Sequence, residues 1–136
     1  MEFPPPKVQE VLEAFSDDIS VNIFKIIERN AKNAKALKKE LDISNKQFYD
    51  RIQKLIGVGL VKRKGTFYYA TSFGSATFQA YVKIAKGIEY LQEFKIIDSI
   101  RDGDMPGGER SKLIDRLVED IEIKETISRG DRNEQL

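Results

Sequence analysis

The sequence contains no histidine and no cysteine among its 136 residues. Without cysteine the chain has no disulfides, no thiolate nucleophile and no Cys-ligated zinc, and a cytoplasmic location is expected. Without histidine it lacks the commonest general base and metal ligand. We therefore expect no enzymatic activity, no metal and no cofactor. An enzyme that relies on carboxylates, lysine or serine is the remaining alternative.

Long hydrophobic runs are also missing. No apolar segment approaches the ~20 residues that a membrane-spanning helix needs. The N-terminal MEFPPPKVQEV lacks the basic and then apolar segments of a secretory signal. Hydrophobic residues make up 40% of the chain, which is enough for the core of one domain with a helical extension.

The net charge of +1 hides a strong segregation of charge along the chain. Residues 25–64 carry twelve Lys and Arg against four acidic residues, a local charge of +8. Residues 1–24 and residues 98–136 each carry −4. A concentrated basic block in a nearly neutral protein indicates a polyanionic partner. The alternative is chance clustering of charge on a helical surface.

Three helices are predicted before residue 42 from apolar residues spaced three and four apart. The first begins near Pro6, and the second follows the break at residues 16–18 and ends near Asn30. Asn33 is placed to cap the third, which directs its lysines outward.

A fourth helix is predicted from SNKQ, residues 44–47, which matches a capping box. The Ser hydroxyl and the Gln amide satisfy free N–H groups reciprocally, so the helix begins at Asn45. Its apolar stripe consists of Phe48, Ile52, Leu55 and Ile56. Only residues 42–44 separate it from the third helix, which is the short connection of a helix-turn-helix.

A hairpin is predicted next, with strands at residues 60–63 and 67–71 around the turn Lys64-Gly65-Thr66. Strand alternation places Phe67 and Tyr69 in the core. In the alternative, this aromatic run is a base-stacking platform for single strands. The cations before the turn either contact phosphate or only protect an exposed sheet edge.

The second half of the chain is predicted to be helical. One long, richly apolar helix runs from residue 72 to about residue 101, and residues 102–108 (DGDMPGG) form a loop. A last amphipathic helix contains Leu113, Leu117 and Ile121, and a solvated tail follows.

This order of helices, short turn, basic hairpin and long helix resembles the winged-helix family of DNA-binding domains, most closely small archaeal transcription regulators. The resemblance covers roughly residues 17–80. The predicted fold is mainly α with a small β-hairpin (α+β), a winged helix-turn-helix domain with long C-terminal helices. The residues that carry the resemblance are Leu37, Leu41, Ile43, Ser44, Phe48, Ile52, Leu55 and the segment GVGLVKRKGTFYYATSFG.

The resemblance implies a sequence-specific regulator of transcription that binds double-stranded DNA. Its recognition helix, residues 45–56, would enter the major groove, and its wing, residues 61–70, would lie on the flanking backbone or minor groove. Amides can bridge an adenine edge, Lys and Arg can donate to guanine or phosphate, and Tyr can reach a phosphate or a thymine methyl. The expected DNA-binding residues are Lys35, Lys38, Lys39, Ser44, Asn45, Lys46, Gln47, Tyr49, Arg51, Lys54, Lys62, Arg63, Lys64 and Gly65.

Asp50 departs from this pattern, because a carboxylate facing phosphate opposes binding. It either accepts a hydrogen bond from cytosine or pairs with Lys46 or Lys54, each four residues away. The alternative function for the whole chain is a winged-helix module for protein–protein contact in a larger assembly. Salt-dependent binding to duplex DNA separates the two functions.

The long helix has more apolar positions than a wing domain can cover, which predicts a homodimer with two recognition helices. The alternative is a monomer in which residues 109–123 pack on residues 80–100. The expected interface residues are Tyr81, Ile84, Ile88, Leu91, Phe94, Ile97, Leu113, Leu117 and Ile121. The predicted divisions are an N-terminal helical extension (1–15), the winged helix-turn-helix domain (16–76), a helical dimerisation region (77–125) and a flexible tail (126–136).

Overall fold

A computed structural model describes residues 4–101, 103 and 106–134 of the chain. The chain divides into two compact units, Met1–Tyr81 and Val82–Leu136. It is mainly helical with one small antiparallel sheet, as predicted. The elements in chain order are α1 (Val8–Ala14), α2 (Asp18–Arg29), β1 (Lys32–Asn33), α3 (Ala34–Leu41), α4 (Asn45–Gly57), β2 (Val61–Lys64), β3 (Phe67–Ala70), α5 (Ser72–Glu89), α6 (Leu91–Arg101), α7 (Gly107–Leu117) and α8 (Ile121–Glu134).

Side-chain caps determine where the helices of the first unit begin. The carboxylate of Asp17 accepts a hydrogen bond from the backbone N–H of Ser20 at 2.8 Å, and starts α2. The amide of Asn33 caps α3 in the same way. The predicted capping box of α4 is confirmed, with Ser44 and Gln47 each accepting from the other's backbone N–H at 3.1 and 3.0 Å.

The turn between α3 and α4 is as short as predicted. Asp42 adopts the left-handed conformation with φ 52°, which ends α3 and reverses the chain. The backbone N–H of Ile43 then bonds to the carbonyl of Lys38 at 3.1 Å. Leu37 and Phe48 are fully buried on either side of the turn, so the two helices are held as a helix-turn-helix.

The sheet contains a strand that the sequence did not predict. Its order is β1-β3-β2, both pairings are antiparallel, and β1 has only two residues. A segment this short shows no alternation of polar and apolar residues, so periodicity could not reveal it. Because β3 pairs with β1 on one side and with β2 on the other, β3 is the central strand.

The predicted burial of Phe67 and Tyr69 is wrong. Tyr68 is the buried ring of β3, Phe67 is 42% exposed and Tyr69 is half-buried. The turn has two residues rather than three, because Lys64 pairs directly with Phe67. A shift of one residue moves every side chain to the opposite face of a strand. The ring of Tyr68 therefore packs edge-on against Phe48, with centroids 5.7 Å apart.

The first unit closes around α2 and the start of α5. Phe24 is fully buried, and its ring centroid lies 5.3 Å from those of both Phe15 and Phe78. Thr71 accepts a hydrogen bond from the backbone N–H of Gly74 at 2.9 Å, so it caps α5 as predicted. A Cβ on Gly74 would overlap the carbonyl oxygen of Leu60, which explains the small residue at this position.

The predicted single helix over residues 72–101 is wrong, because the chain forms α5 and α6 with a break at Tyr90. The break lies three residues after Gly87, and glycine is among the residues that favour a helix least. Tyr90 and Phe94 then pack against the core of the second unit.

The core of the second unit consists of Ile97, Ile114 and Val118, each almost fully buried. The predicted last helix is divided into α7 and α8, and Asp120 caps the second by accepting from the backbone N–H of Ile123 at 3.1 Å. Asp120 also pairs with Lys86 at 3.0 Å. These contacts hold the start of α8 within the unit.

The structure also differs from the predicted loop and tail. Helix α8 continues to Glu134, through most of the segment that was expected to be a solvated tail, because Ile123 and Ile127 pack on the core four residues apart. In the predicted loop 102–108, residues 102, 104 and 105 lie outside the described residues, and Gly107 already belongs to α7. Within the described ranges, no helix is long and apolar enough to span a membrane. The predicted domain boundaries stay predictions.

Candidate nucleic-acid interface

Helix α4 divides its side chains between the core and the surface. Phe48, Ile52 and Leu55 are fully buried, so the stripe predicted from their spacing is confirmed, except that Ile56 is exposed. Both α3 and β2 pack on α4. The opposite side of the helix is exposed, and it carries Lys46, Gln47, Tyr49, Asp50 and Lys54.

The cations around this exposed side are mostly unpaired. Among the described residues, one ion pair involves the basic segment 25–64, and it joins Arg51 to Asp17. Asp50 pairs with neither Lys46 nor Lys54 within the described part of the chain. Its carboxylate therefore stands among lysines on the exposed side. The exposed lysines of α3, α4 and β2 are Lys35, Lys39, Lys46, Lys54, Lys62 and Lys64.

Arg51 ties α4 to the start of α2. Its Nε lies 3.3 Å from a carboxylate oxygen of Asp17, and one of its Nη atoms donates to the carbonyl of Gln47 at 3.2 Å. Burial raises the pKa of Asp17, but the hydrogen bonds from Ser20 and the nearby Arg51 charge outweigh it, so the pKa lies below its ordinary value. Arg51 is thus engaged within the protein, although its residue type and position predict a contact with DNA.

Four other predicted contact residues take part in local hydrogen bonds. The ammonium group of Lys38 donates to the side-chain oxygen of Asn45 and lies 5.7 Å from the ring centroid of Tyr49. The side-chain oxygens of Ser44 and Gln47 are occupied by the capping box. The NH₂ group of Gln47 is still a donor, since its oxygen makes the capping bond.

The hairpin of β2 and β3 presents its cations in two different ways. Lys62 and Lys64 lie on the exposed face of the sheet, whereas Arg63 is opposite the buried Tyr68. The guanidinium of Arg63 lies 5.9 Å from the Tyr68 ring centroid, and its Nε donates to the carbonyl of Gly65 at 2.9 Å. Gly65 has φ 63°, the first position of a two-residue turn that favours glycine. Arg63 therefore stabilises the turn.

The predicted dimer residues divide into exposed and buried groups. Ile84, Ile88, Leu91 and Ile121 are all largely exposed. Phe94, Leu113 and Leu117 are half-buried within the second unit. The prediction that Ile97 lies at the dimer interface is wrong, because this residue is 2% exposed and is covered by α7.

Tyr81, also predicted at the dimer interface, stacks on Phe78 inside the first unit, with ring centroids 5.4 Å apart. Further exposed apolar residues lie outside the predicted interface, and two groups of them are on α6 and α1. The first is Ile96 on α6, and the second is the pair Val8 and Leu12 on α1. The spacing of Val8 and Leu12 is visible in the sequence, but the same spacing is typical of a single buried stripe.

The described residues contain no group of three or more acidic side chains arranged to hold a metal ion. One cavity lies beside the exposed apolar residues of α1. It has a volume of about 590 Å³, lies between α1 and α5 and is lined by apolar residues that include Val11, Leu12 and Phe73. Among the described residues, no cation or carboxylate lines this cavity.

Comparison with known proteins identifies the fold. No protein family and no curated protein matches the sequence. Among solved structures, a transcriptional regulator of the MarR family from Porphyromonas gingivalis W83 is similar, with 24% identity, a TM-score of 0.50, and coverage of 64% of this chain and 93% of that one. An ArsR-like transcriptional regulator from Rhodococcus sp. RHA1 matches with 22% identity and a TM-score of 0.47, over 72% of this chain and 93% of that one. The predicted winged helix-turn-helix fold is confirmed, and the likeness to archaeal regulators stays a prediction.

Proposed function

We propose that this protein is a sequence-specific regulator of transcription that binds double-stranded DNA. In this proposal α4 enters the major groove, and the wing formed by β2 and β3 lies on the flanking backbone or minor groove. One observation carries the proposal: within the described residues, the exposed side of α4 bears the unpaired Lys46 and Lys54, flanked by the unpaired lysines of α3 and β2. The similar structure from Porphyromonas gingivalis W83 is a transcriptional regulator, so the fold is one that such regulators use.

The contacts are proposed to differ between base edges and phosphates. Lys46 and the NH₂ group of Gln47, at the start of α4, are donors suited to base edges in the major groove. Lys35, Lys62 and Lys64 are better suited to phosphates, because a Lys ammonium acts as a point charge. Sequence-independent phosphate contacts fix the position of the protein on the duplex, and the base contacts supply specificity.

Arg51 has a different role in this proposal than its residue type suggests. Its bond to Asp17 holds α4 in place, so it positions the recognition helix and does not read bases. Asp50 has no ion-pair partner in the described part of the chain and lies between the lysines of α4, where its carboxylate can accept from cytosine N4. A carboxylate at this place repels phosphate, which favours particular bases over general affinity for DNA.

The protein is further proposed to act as a homodimer through its second unit. Ile84, Ile88, Leu91 and Ile121 remain exposed after α7 and α8 have covered Ile97. Burying one such side chain is worth about 1.5–3 kcal/mol, so four exposed ones favour association with another surface. A second copy of the same unit offers a matching apolar surface, and a dimer doubles the DNA contacts.

Binding to a mixture of genomic duplex fragments at several salt concentrations tests the DNA-binding function. Each phosphate that is neutralised lowers the logarithm of the binding constant by about 0.9 per tenfold rise in salt. A protein with six or more such contacts loses roughly a thousandfold in affinity between 50 and 200 mM salt. Fluorescence anisotropy measures this dependence directly.

Matched lysine variants make this test specific to the proposed surface. Lys62→Ala should reduce affinity for all fragments and flatten the salt dependence by about one phosphate contact, whereas Lys46→Ala should mainly weaken binding to the preferred duplex sequences. Lys95→Ala, an exposed lysine on α6 in the second unit, should change neither the affinity nor the salt dependence. No duplex binding at low salt would contradict the proposal and favour a module for protein–protein contact.

A further inference from the structure

The exposed face of the wing combines two aromatic rings with two cations. Lys64 lies directly opposite Phe67, and Lys62 lies directly opposite Tyr69 in the pairing of β2 with β3. Directly opposite residues share a face, with Cβ atoms about 5 Å apart. We call these four residues the outward wing face. Phe67 is 42% exposed, Tyr69 is half-buried, and both lysines are exposed.

The aromatic contact from β3 to the core and the phosphate contacts to a duplex do not require the rings on this face. Tyr68, on the other face of β3, already supplies the aromatic contact to the core through Phe48. Phosphate contacts to a duplex need only the two lysines. The outer face of an antiparallel sheet is usually polar, whereas here two rings and two cations share that face.

The chemistry of the outward wing face suits unpaired nucleobases. Aromatic side chains beside cations bind single strands, because each base stacks on a ring while Lys neutralises the adjoining phosphate. Phe67 and Tyr69 are two residues apart on a strand, about 6.6 Å, which is roughly twice the 3.4 Å rise of a stacked strand. Two bases on these rings would therefore be unstacked from each other. Residues 61–70 contain no acidic residue that would repel the phosphates.

The outward wing face is also held rigidly. The Arg63 Nε bonds to the carbonyl of Gly65, which fixes the turn next to Phe67. On its other edge β3 pairs with β1, where Asn33 is opposite Phe67. A ring on the central strand of a sheet loses little conformational freedom when a base stacks on it.

We propose that the outward wing face binds unpaired bases of a single-stranded nucleic acid, with Phe67 as the main stacking ring, Tyr69 as a second, and Lys62 and Lys64 as phosphate contacts. This inference goes beyond the proposed function, because unpaired bases are a different ligand from the duplex. In duplex DNA the faces of the bases are covered by stacking, so only single strands or unpaired segments offer this contact.

A tryptophan at the stacking position provides a direct test. The sequence contains no tryptophan, so Phe67→Trp introduces a single fluorescent reporter on the outward wing face. Its fluorescence should be quenched when oligo(dT) or oligo(U) is added, because the base stacks on the indole. Inorganic polyphosphate, which has charge but no bases, should not quench it. The relative affinities of the two oligonucleotides identify whether DNA or RNA is preferred.

A second set of variants separates stacking from apolar contact. Phe67→Leu keeps an apolar side chain but removes the ring, and it should weaken oligo(dT) binding at least about fivefold. Phe67→Tyr retains a ring and should bind within about twofold of the native protein. Phe73→Leu is the matched control, since Phe73 is similarly exposed but lies on α5, and it should leave binding unchanged. Circular dichroism checks that each variant is folded.

The outcomes separate this inference from the proposed function. Unquenched fluorescence of the Phe67→Trp variant in the presence of bound oligo(dT), or native affinity in Phe67→Leu, overturns the inference whatever the duplex results are. Failure of the native protein to bind oligo(dT) and oligo(U) overturns it as well. Loss of duplex binding in Lys46→Ala alone, with oligo(dT) binding intact, supports two distinct ligand surfaces. Quenching by oligo(dT) in a protein that binds no duplex supports the inference and contradicts the proposed function.

Discussion

At the scale of single residues, Asp17 has two structural roles. Its carboxylate caps α2 and also holds Arg51 on α4, so it connects the core helix to the proposed recognition helix. A helix cap contributes about 1 kcal/mol, and a partly exposed ion pair adds a few tenths. We predict that Asp17→Ala lowers the free energy of unfolding by about 1–1.5 kcal/mol, measured by urea denaturation.

Asp17 also makes the stability of the fold depend on pH in the acidic range. The pKa of Asp17 is lower in the folded than in the unfolded state. Its contribution to the free energy of unfolding is therefore fully present above the unfolded-state pKa of about 4, and it is lost as the pH falls through the folded-state pKa. Asp17→Asn is the matched control, since Asn also caps helices but carries no charge. It should keep most of the stability at pH 7 and lose less on acidification. An Asp17→Ala variant as stable as the native protein would contradict this account.

The sequence predicts residues whose partners are close in the chain and fails where they are distant. Asn33 and Ser44 bond to backbone groups three residues away, so local spacing identifies both caps. Arg51 bonds to Asp17 across 34 positions, and nothing in the local pattern indicates that contact. For this reason the sequence alone assigns Arg51 to DNA.

At the scale of secondary-structure elements, one residue of turn length in the hairpin decides which rings of β3 are buried. A three-residue turn would have placed Phe67 and Tyr69 in the core, whereas the observed two-residue turn places Tyr68 there. The sequence Lys64-Gly65-Thr66 can form either a two-residue or a three-residue turn. The choice depends on packing of Tyr68 against Phe48, which lies on another element.

The helices of the second unit show the same dependence on packing. The apolar spacing is continuous enough to predict one helix across residues 72–101 and another across 113–121. The breaks at Tyr90 and Asp120 bring Phe94, Ile97 and Ile123 together around one core. Helix ends of this kind are decided by what the flanking segments bury, which periodicity alone does not report.

At the scale of the whole molecule, the proposed homodimer gives a clear prediction. Light scattering at micromolar concentration should report about twice the 15.6 kDa mass of one chain. Leu91→Glu and Ile88→Glu place a charge on the exposed apolar residues and should each shift the mass to one chain. Gln92→Glu adds the same charge at an exposed neighbouring position and should remain dimeric.

These variants also link assembly to DNA binding. The dissociated variants should bind a two-fold duplex site more weakly, since only one recognition helix is then held on it. A native mass of one chain at every concentration would contradict the dimer. In that case the exposed isoleucines of α5 would need another partner.

The most direct test of the central claim is the ratio of affinities for a selected duplex site and for random duplex DNA. The site is obtained by selection from random sequences, and both affinities are measured at one physiological salt concentration. We predict a ratio of roughly a thousand or more for the native protein. Gln47→Glu keeps the capping box and Lys46→Ala leaves the fold unchanged, and each should reduce the ratio by about 5- to 150-fold. The double variant Lys62→Ala, Lys64→Ala should weaken both affinities equally and leave the ratio intact. A native ratio near one, or an equal change of the ratio in helix and wing variants, would contradict the assignment of α4 as the recognition helix.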